Sequence, residues 1–394
     1  MLTVEQALER LLARARPAQV SETVALEAAA GRVLAEDLES SLDVPPADNS
    51  AMDGYALCHR DWLSPEQPLP VRQRITAGAV PAALEAGTAA RIFTGAEVPP
   101  GADTVVIQER TDQGSDEVRI ERMPAEGANI RRRGQDIARG QVALKAGHRL
   151  RPQDLGLAAS LGQAELTVYR RLRVAVLSSG DELVEPGLPL GPGKIYNSNR
   201  PMLVTLLRAW GFEILDLGIV PDQPSVLANK LERAADECDA ILSSGGVSVG
   251  EEDHVRAVVQ SLGGVDLWKV AIKPGKPFLF GTVAQSAFLG LPGNPASTLV
   301  TALIIARPYL MARQGVREPI VKPFLERAAF DRAAQKRTEY LRVRSGPDGL
   351  ECYANQSSGV LMSASWGDGL AVQECGREIR QGEQVPYLPY GLLW

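Results

Sequence analysis

Cysteine and histidine are scarce in this 394-residue sequence, with four and three copies. Cys58, Cys238, Cys352 and Cys375 are widely scattered and form no CxxC pair, which argues against a disulfide framework or a structural zinc site. His59, His148 and His254 do not stand at metal-ligand spacing. An excess of basic residues is also missing: the net charge is −6, so no general nucleic-acid partner is expected. No apolar run approaches the roughly 20 residues that cross a bilayer. The opening Met1-Leu2-Thr3-Val4-Glu5 has neither a positive n-region nor an apolar h-region, and we expect a cytoplasmic protein. Neither GxxxxGK[ST] nor GxGxxG occurs, so nucleoside triphosphatase and dinucleotide dehydrogenase readings fail.

What is present is the composition of a soluble globular chain, 45% hydrophobic and 23% charged, and long enough for several domains. Thr3 can cap a first helix carrying Ala7, Leu8, Leu11 and Leu12. Residues 45–140 are rich in Pro, Gly, Thr and short Val/Ile runs, the texture of an inserted β-rich domain. They interrupt a split helical and extended domain, 1–44 and 141–170. Residues 171–313 alternate strands and helices, including helices capped by Ser198 and Ser225. That rhythm predicts a parallel sheet with helices on both faces, whose ligands sit at the carboxyl ends of the strands. Residues 314–394 alternate short strands and turns, predicting a C-terminal β-barrel or sandwich.

One loop of the α/β domain stands out. The apolar Ala240-Ile241-Leu242 leads into Ser243-Ser244-Gly245-Gly246-Val247-Ser248-Val249-Gly250, then Glu251-Glu252-Asp253. Paired glycines and serines between a strand and a helix let several N–H groups point at one anion. Three further loops leave strands: Ser178–Glu182, Val220–Asp222, and Gly290-Leu291-Pro292-Gly293-Asn294-Pro295. Taken singly, Glu182, Asp222 and Asp253 are each as well explained as solvated loop acids or helix caps. Coming together from three strand ends beside a phosphate cradle, they suit Mg²⁺, which takes hard oxygen ligands. Lys269, Lys273 and Lys276 surround a Pro-Gly turn and form a cationic spot in an acidic chain, suited to an oxyanion. Arg131-Arg132-Arg133 reads as a solvated face, Asn49–Ala56 as a turn or a binding loop, His254 as a helix start, and Cys58-His59 as incidental.

In order along nearly the whole chain, these segments resemble the MoeA family of molybdopterin molybdenumtransferases. The matching motifs are Ser50-Ala51-Met52-Asp53-Gly54-Tyr55-Ala56, Ile92-Phe93-Thr94-Gly95-Ala96, Pro100–Val106, Asn129-Ile130-Arg131 with Gly134 and Asp136, Leu155–Gly162, Ser179–Leu183, the Gly245-Gly246 loop, Lys273-Pro274-Gly275-Lys276-Pro277 and Gly290–Pro295. The resemblance implies four parts: a split helical domain, an inserted β-domain, a molybdopterin-binding α/β domain and a C-terminal β-barrel. It further implies an elongated homodimer whose site lies between the α/β domain of one subunit and the inserted domain of the other.

The implied reaction inserts molybdate into adenylylated molybdopterin with release of AMP, dependent on Mg²⁺. A molybdopterin adenylyltransferase would supply the substrate and molybdoenzymes would accept the product. Family positions fall on Asp53, Thr94 and Asp136 in the inserted domain, which favours a functional Asp53 loop. In the α/β domain they fall on Glu182, Asp222, Asp253, Lys269, Lys273, Lys276, Pro292 and Pro295. Ser244, Gly245, Gly246, Ser248, Gly293 and Asn294 complete the implied pterin and phosphate contacts. Asn197 replaces an Asp found in many relatives, and Gln356-Ser357-Ser358-Gly359 departs from the usual Gln-Gly-Ser-Gly. Ser358, Arg337 and Arg342 are candidate oxyanion contacts. Two other readings share these motifs. An adenylyltransferase would turn over ATP alone, and a non-catalytic scaffold would bind pterin without turnover. The inserted and C-terminal domains argue against the first, and the intact acidic set against the second.

Overall fold

The strand–helix alternation beyond residue 170 forms one mixed sheet in the computed structural model, which describes residues 1–17, 20–246 and 254–394. Its strands are β1 (Arg173–Ser179), β2 (Glu213–Val220), β3 (Ala240–Ser244), β4 (Gly263–Lys269), β5 (Pro277–Val283) and β6 (Ser286–Leu291), in the order β2-β1-β3-β6-β5-β4. The first four in that order are parallel. β5 runs antiparallel to both of its neighbours, β6 and β4. The expected parallel sheet is therefore corrected at one edge. Only Ala284 and Gln285 separate β5 from β6, far too few residues for a crossover, so the pair must close as a hairpin.

Side chains alternate across β1 with period two. Val174 and Val176 enter a core with Leu203 and Leu207 of helix Asn199–Ala209 and with Leu303 and Leu310 of the last helical stretch. Ala175 and Leu177 enter the opposite core, with Leu227 and Leu231 of helix Pro224–Glu237 and Val255 and Val259 of helix His254–Leu262. The last stretch, Pro295–Arg313, contains a π-helical segment at Ala302–Ala306. It is long and apolar enough to cross a membrane, yet 89% of its apolar window is buried inside this protein.

Two helix starts differ from expectation. Ser198 makes no side-chain cap; the Arg200 N–H donates instead to Asn197 Oδ1 at 3.2 Å. Ser225 lies inside its helix, which begins one residue earlier at Pro224, whose missing N–H is no loss there. The first helix, Val4–Leu12, carries the reciprocal Thr3–Gln6 capping box. Its Ala7, Leu8 and Leu11 pack into the first core of the α/β unit. Leu2 meanwhile donates to Lys269 O at 2.9 Å and accepts from Ala271 N–H at 2.7 Å, strapping the chain start onto the segment before Lys273.

The inserted segment contains a five-stranded sheet with Gly54–Leu57 paired between Thr104–Ile107 and Ala89–Ile92. Around it, Ser21–Ala25 pairs Glu165–Tyr169 and Leu38–Glu39 pairs Val142–Leu144, joining the two flanking segments. In the C-terminal unit Thr338–Gly346 pairs Gly369–Gln373, which pairs Gln384–Pro389, which pairs Phe324–Arg327. Gly349–Cys352 folds back on Thr338–Gly346, and Leu350 meets Ala328 through one isolated bridge. The expected barrel is thus a curled sheet whose ends meet at a single point.

Asp154 anchors the helix Pro152–Ser160 and is 4% exposed. It accepts from the Arg151 N–H at 2.8 Å, from the Arg151 guanidinium at 3.0 and 3.1 Å, and contacts His148 Nε2 at 2.8 Å. Burial alone would push its carboxyl up, but Arg151 and His148 hold it well below the usual carboxylate range. A depressed folded-state value stabilises the fold above the unfolded value near pH 4, and that stabilisation is lost as pH falls. We therefore expect Asp154→Asn to cost about 1–3 kcal/mol in urea unfolding at pH 7. The gap from the parent protein should narrow steadily below pH ~4.

Candidate functional site

Ser178 lies opposite Ser244, and Ser244 opposite Leu291, so the loops leaving β1, β3 and β6 begin at one level. Gly245 and Gly246 follow with φ of +89° and +64°. A Cβ on Gly245 would fall 2.8 Å from Ser179 O, so only glycine allows the third-strand loop to run against the end of β1. Its N–H donates to Leu291 O at 3.1 Å, and Gly293 passes alongside.

Above these loops opens a cleft of about 1070 Å³. Ser179, Gly180 and Glu182 line it from β1, Asp222 from β2, and Ser244, Gly245 and Gly246 from β3. Lys273–Pro277, Pro292–Pro295, Arg337 and Gln356–Gly359 complete the wall. Most of the expected α/β residues are therefore brought together. Ser248 and Asp253 lie outside the described residues.

Glu182 and Asp222 flank the Ser179-Gly180 turn. Ser179 Oγ donates to Asp222 Oδ1, and the Asp222 N–H reaches Asp181 Oδ1 at 3.4 Å. The Glu182 carboxylate folds over Gly180, where a Cβ would lie 2.5 Å from Oε2. Two carboxylates lining the same cleft as the glycine loops are the hard-oxygen donors a divalent cation takes. Among the described residues, no group of three or more His, Cys, Asp or Glu side chains is arranged to hold a metal.

The three lysines separate. Lys269 is exposed on β4 and is not among the residues that line the cleft. Its antiparallel pairing places it directly across from Pro277, which does line the cleft. Lys276 is exposed in the cleft wall. Lys273 is half-buried, with Nζ 3.1 Å from both Glu339 Oε1 and Gln335 Oε1.

The C-terminal unit reaches the cleft through direct bonds. Arg337 donates to Ile272 O at 2.8 Å and Gly275 O at 2.7 Å, bracing the Lys273–Pro277 loop. Ser358 Oγ accepts from Asn294 Nδ2 at 3.1 Å, and Ser358 O from the Ala296 N–H at 3.0 Å. Arg342 is corrected from oxyanion contact to brace: it is fully buried and bonded to Ser363 Oγ, Tyr340 O and Ser357 O.

The inserted-domain residues do not line this cleft. Asp53 Oδ1 accepts from Thr94 N–H at 2.8 Å and Thr94 Oγ1 at 2.7 Å. Those two bonds, with Arg91 nearby, hold the Asp53 carboxyl below its ordinary range. Asp136 is exposed, its N–H bonded to Val44 O at 3.0 Å. Arg132 and Arg133 pair with Asp48 and Asp43, as suits a surface face, and the His59 N–H and Cys58 thiol bind Asp103.

Sequence reasoning did not place Tyr196, Asn197, Asn199 and His254 in the site, yet all line the cleft. Asn197 is 1% exposed, and its Oδ1 accepts from Arg200 N–H and Ser178 Oγ. Asn199 Nδ2 donates to Gly293 O at 2.7 Å, tying the segment to the glycine loops. The one available signal was the polar Asn197-Ser198-Asn199 run at a helix start.

Residues 2–162 match the family described as "MoeA N-terminal region (domain I and II)". Residues 175–312 match "Probable molybdopterin binding domain", and 327–390 match "MoeA C-terminal region (domain IV)". The chain is 42% identical over 320 residues to a molybdopterin molybdenumtransferase of Haemophilus influenzae, covering 81% of this chain and 79% of that one. It is 38% identical over 384 residues to one from Nostoc sp., covering 93% and 88%. A crystal structure of a molybdopterin biosynthesis moeA protein from Pyrococcus horikoshii OT3 superposes with a TM-score of 0.84 at 28% identity, over 99% of this chain and 100% of that one.

The cradle geometry is testable on its own. Gly78 has a φ of +86° in open space, whereas Gly245 combines +89° with the close Ser179 O. Gly78→Ala should cost about 1–2 kcal/mol from backbone conformation alone. Gly245→Ala should cost clearly more in urea unfolding, and equal losses would mean the two loops are not in contact.

Proposed function

The chain belongs to the MoeA family, and from that premise we propose that it inserts molybdate into adenylylated molybdopterin with release of AMP. The observation that carries the reading is the cleft itself. Glycine loops at parallel strand ends form one wall, a lysine-bearing loop forms the other, and two carboxylates stand beside them.

The terminal phosphate of the pterin lies against Gly245, Gly246 and Gly293, whose backbones can approach it closely. Lys276 and Lys273 neutralise molybdate, a tetrahedral dianion, from the opposite wall, with Ser358 at its rim. The substrate's two dithiolene thiols give their protons to one molybdate oxygen, which leaves as water as two Mo–S bonds form, and a second water attacks the pyrophosphate linkage as its P–O bond breaks and frees AMP. Ser179 fixes the Asp222 carboxylate, and Gly180 leaves Glu182 room to turn towards the same linkage. These two residues, with Asp253, would hold Mg²⁺, which when bound supplies positive charge to the leaving phosphate. No covalent protein nucleophile is required.

Asp53, Thr94 and Asp136 fit the reading as the wall given by a second subunit in a homodimer. The adenylyltransferase reading has no observation in its favour beyond the shared α/β domain.

Molybdate-dependent AMP release from adenylylated molybdopterin tests the assignment. Asp222→Asn and Lys276→Ala should each reduce it by about 10²-fold, as for loss of one electrostatic contact to developing charge. Rates within twofold of the parent protein for both would refute it. Mixing inactive Asp53→Ala and Asp222→Asn chains should restore roughly a quarter of parent activity, because half the random dimers then contain one intact shared site. No recovery from a mixture shown to exchange subunits would place the whole site within one chain.

A further inference from the structure

Glu339 is charged in type yet 0% exposed. Arg332 Nη2 lies 2.8 Å from its Oε1 and 3.0 Å from its Oε2, with Nε 3.2 Å from Oε2. Lys273 Nζ reaches Oε1 at 3.1 Å. One buried anion thus serves two cations, Arg332 of the C-terminal unit and Lys273 of the cleft wall. Backbone pairing sets the meeting, since Ile272 and Lys273 run parallel to Thr338 and Glu339.

A buried ion pair is no efficient device for stability, because desolvating the carboxylate offsets much of the attraction. An apolar side chain would dock the two units as well. The carboxylate does something an apolar side chain cannot, which is to fix an ammonium. A lysine has a flexible stem and three donor protons. Glu339 and Gln335 Oε1, each 3.1 Å from Nζ, take two of them and leave one for the cleft that Lys273 lines. Lys276 and Arg337 share that wall, while Glu182, Asp222 and His254 also line the cleft.

We propose that Glu339 is the positioning residue that aims Lys273 at the oxyanion in the cleft, so that this buried carboxylate tunes the site without itself touching substrate. This rests on the reading of the cleft as a molybdate-transfer site. Without Glu339, Lys273 and Arg332 would face each other as uncompensated cations, and the lysine, being the more flexible, would swing away.

The test follows Lys273 itself. The full-length protein is acylated with a trace amine reagent at fixed pH, and labelling of Lys273 relative to Lys276 is read by peptide mass spectrometry. Glu339→Gln should raise that ratio several-fold, and Glu339→Asp, which keeps the charge on a shorter stem, should raise it less. In AMP release, Glu339→Gln should raise the KM for molybdate about tenfold, the weight of one charge-assisted contact. Its effect on kcat should be smaller, and Glu339→Asp should recover part of the loss. In a Lys273→Met background Glu339→Gln should add less than twofold.

An unchanged labelling ratio in folded Glu339→Gln would overturn the proposal, as would full additivity with Lys273→Met. If Glu339→Gln does not fold, an unchanged ratio in Glu339→Asp overturns it equally. A parent protein that releases no AMP would sink the proposed function, while the labelling result would still decide the role of Glu339.

Discussion

The register of four parallel strands is the constraint on which the site depends. β1 is buried along nearly its whole length and hydrogen-bonded on both sides, so its neighbours cannot slip without moving every inward side chain to the wrong face. That alignment places Ser179 beside Val220, Ser178 beside Ser244, and Ser244 beside Leu291. The loops that follow therefore emerge side by side. Gly245 then allows one of them to run across the end of β1, at a distance from Ser179 O that a Cβ could not tolerate. The cradle is a consequence of packing a sheet correctly, with glycine where two backbones must meet.

The charged wall follows a different logic. Lys273 and Lys276 are three residues apart, yet one is held by a buried carboxylate and the other extends into the cleft. Arg337 and Arg342 show the same division. The first clamps two carbonyls of the lysine loop, and the second is wholly internal, bonded through Ser363 and Ser357 to the segment that carries Ser358. The C-terminal unit thus contributes bracing as well as lining, and it does so across direct hydrogen bonds to Asn294 and Ala296.

Much of this was legible in residue order. The Thr3 cap, the strand–helix rhythm and the loop motifs as far as the described residues reach are local signals, and each appears where its chemistry predicts. Features decided by partners distant in sequence were not legible. The apolar run of β5 suits a strand but not any one pairing direction, which β6 decides, and the helix starts at Asn199 and Pro224 were settled by neighbours other than the serines that suit a cap. Asn197 and His254 entered the site only through the way their segments fold over the strand ends.

By itself the sequence determined which residue types could bind an anion and a divalent cation, and in which order along the chain they came, because glycine conformation and side-chain charge are properties of single residues. Tertiary structure alone decided which of them share a cleft. Lys269 lies on the exposed edge strand β4 beside the cleft-lining Pro277, Arg342 is withheld because its donors are bonded to backbone and serine, and Asp53 does not line this wall. The physical reason is that a charge acts over a few ångströms, and only the folded chain sets those distances.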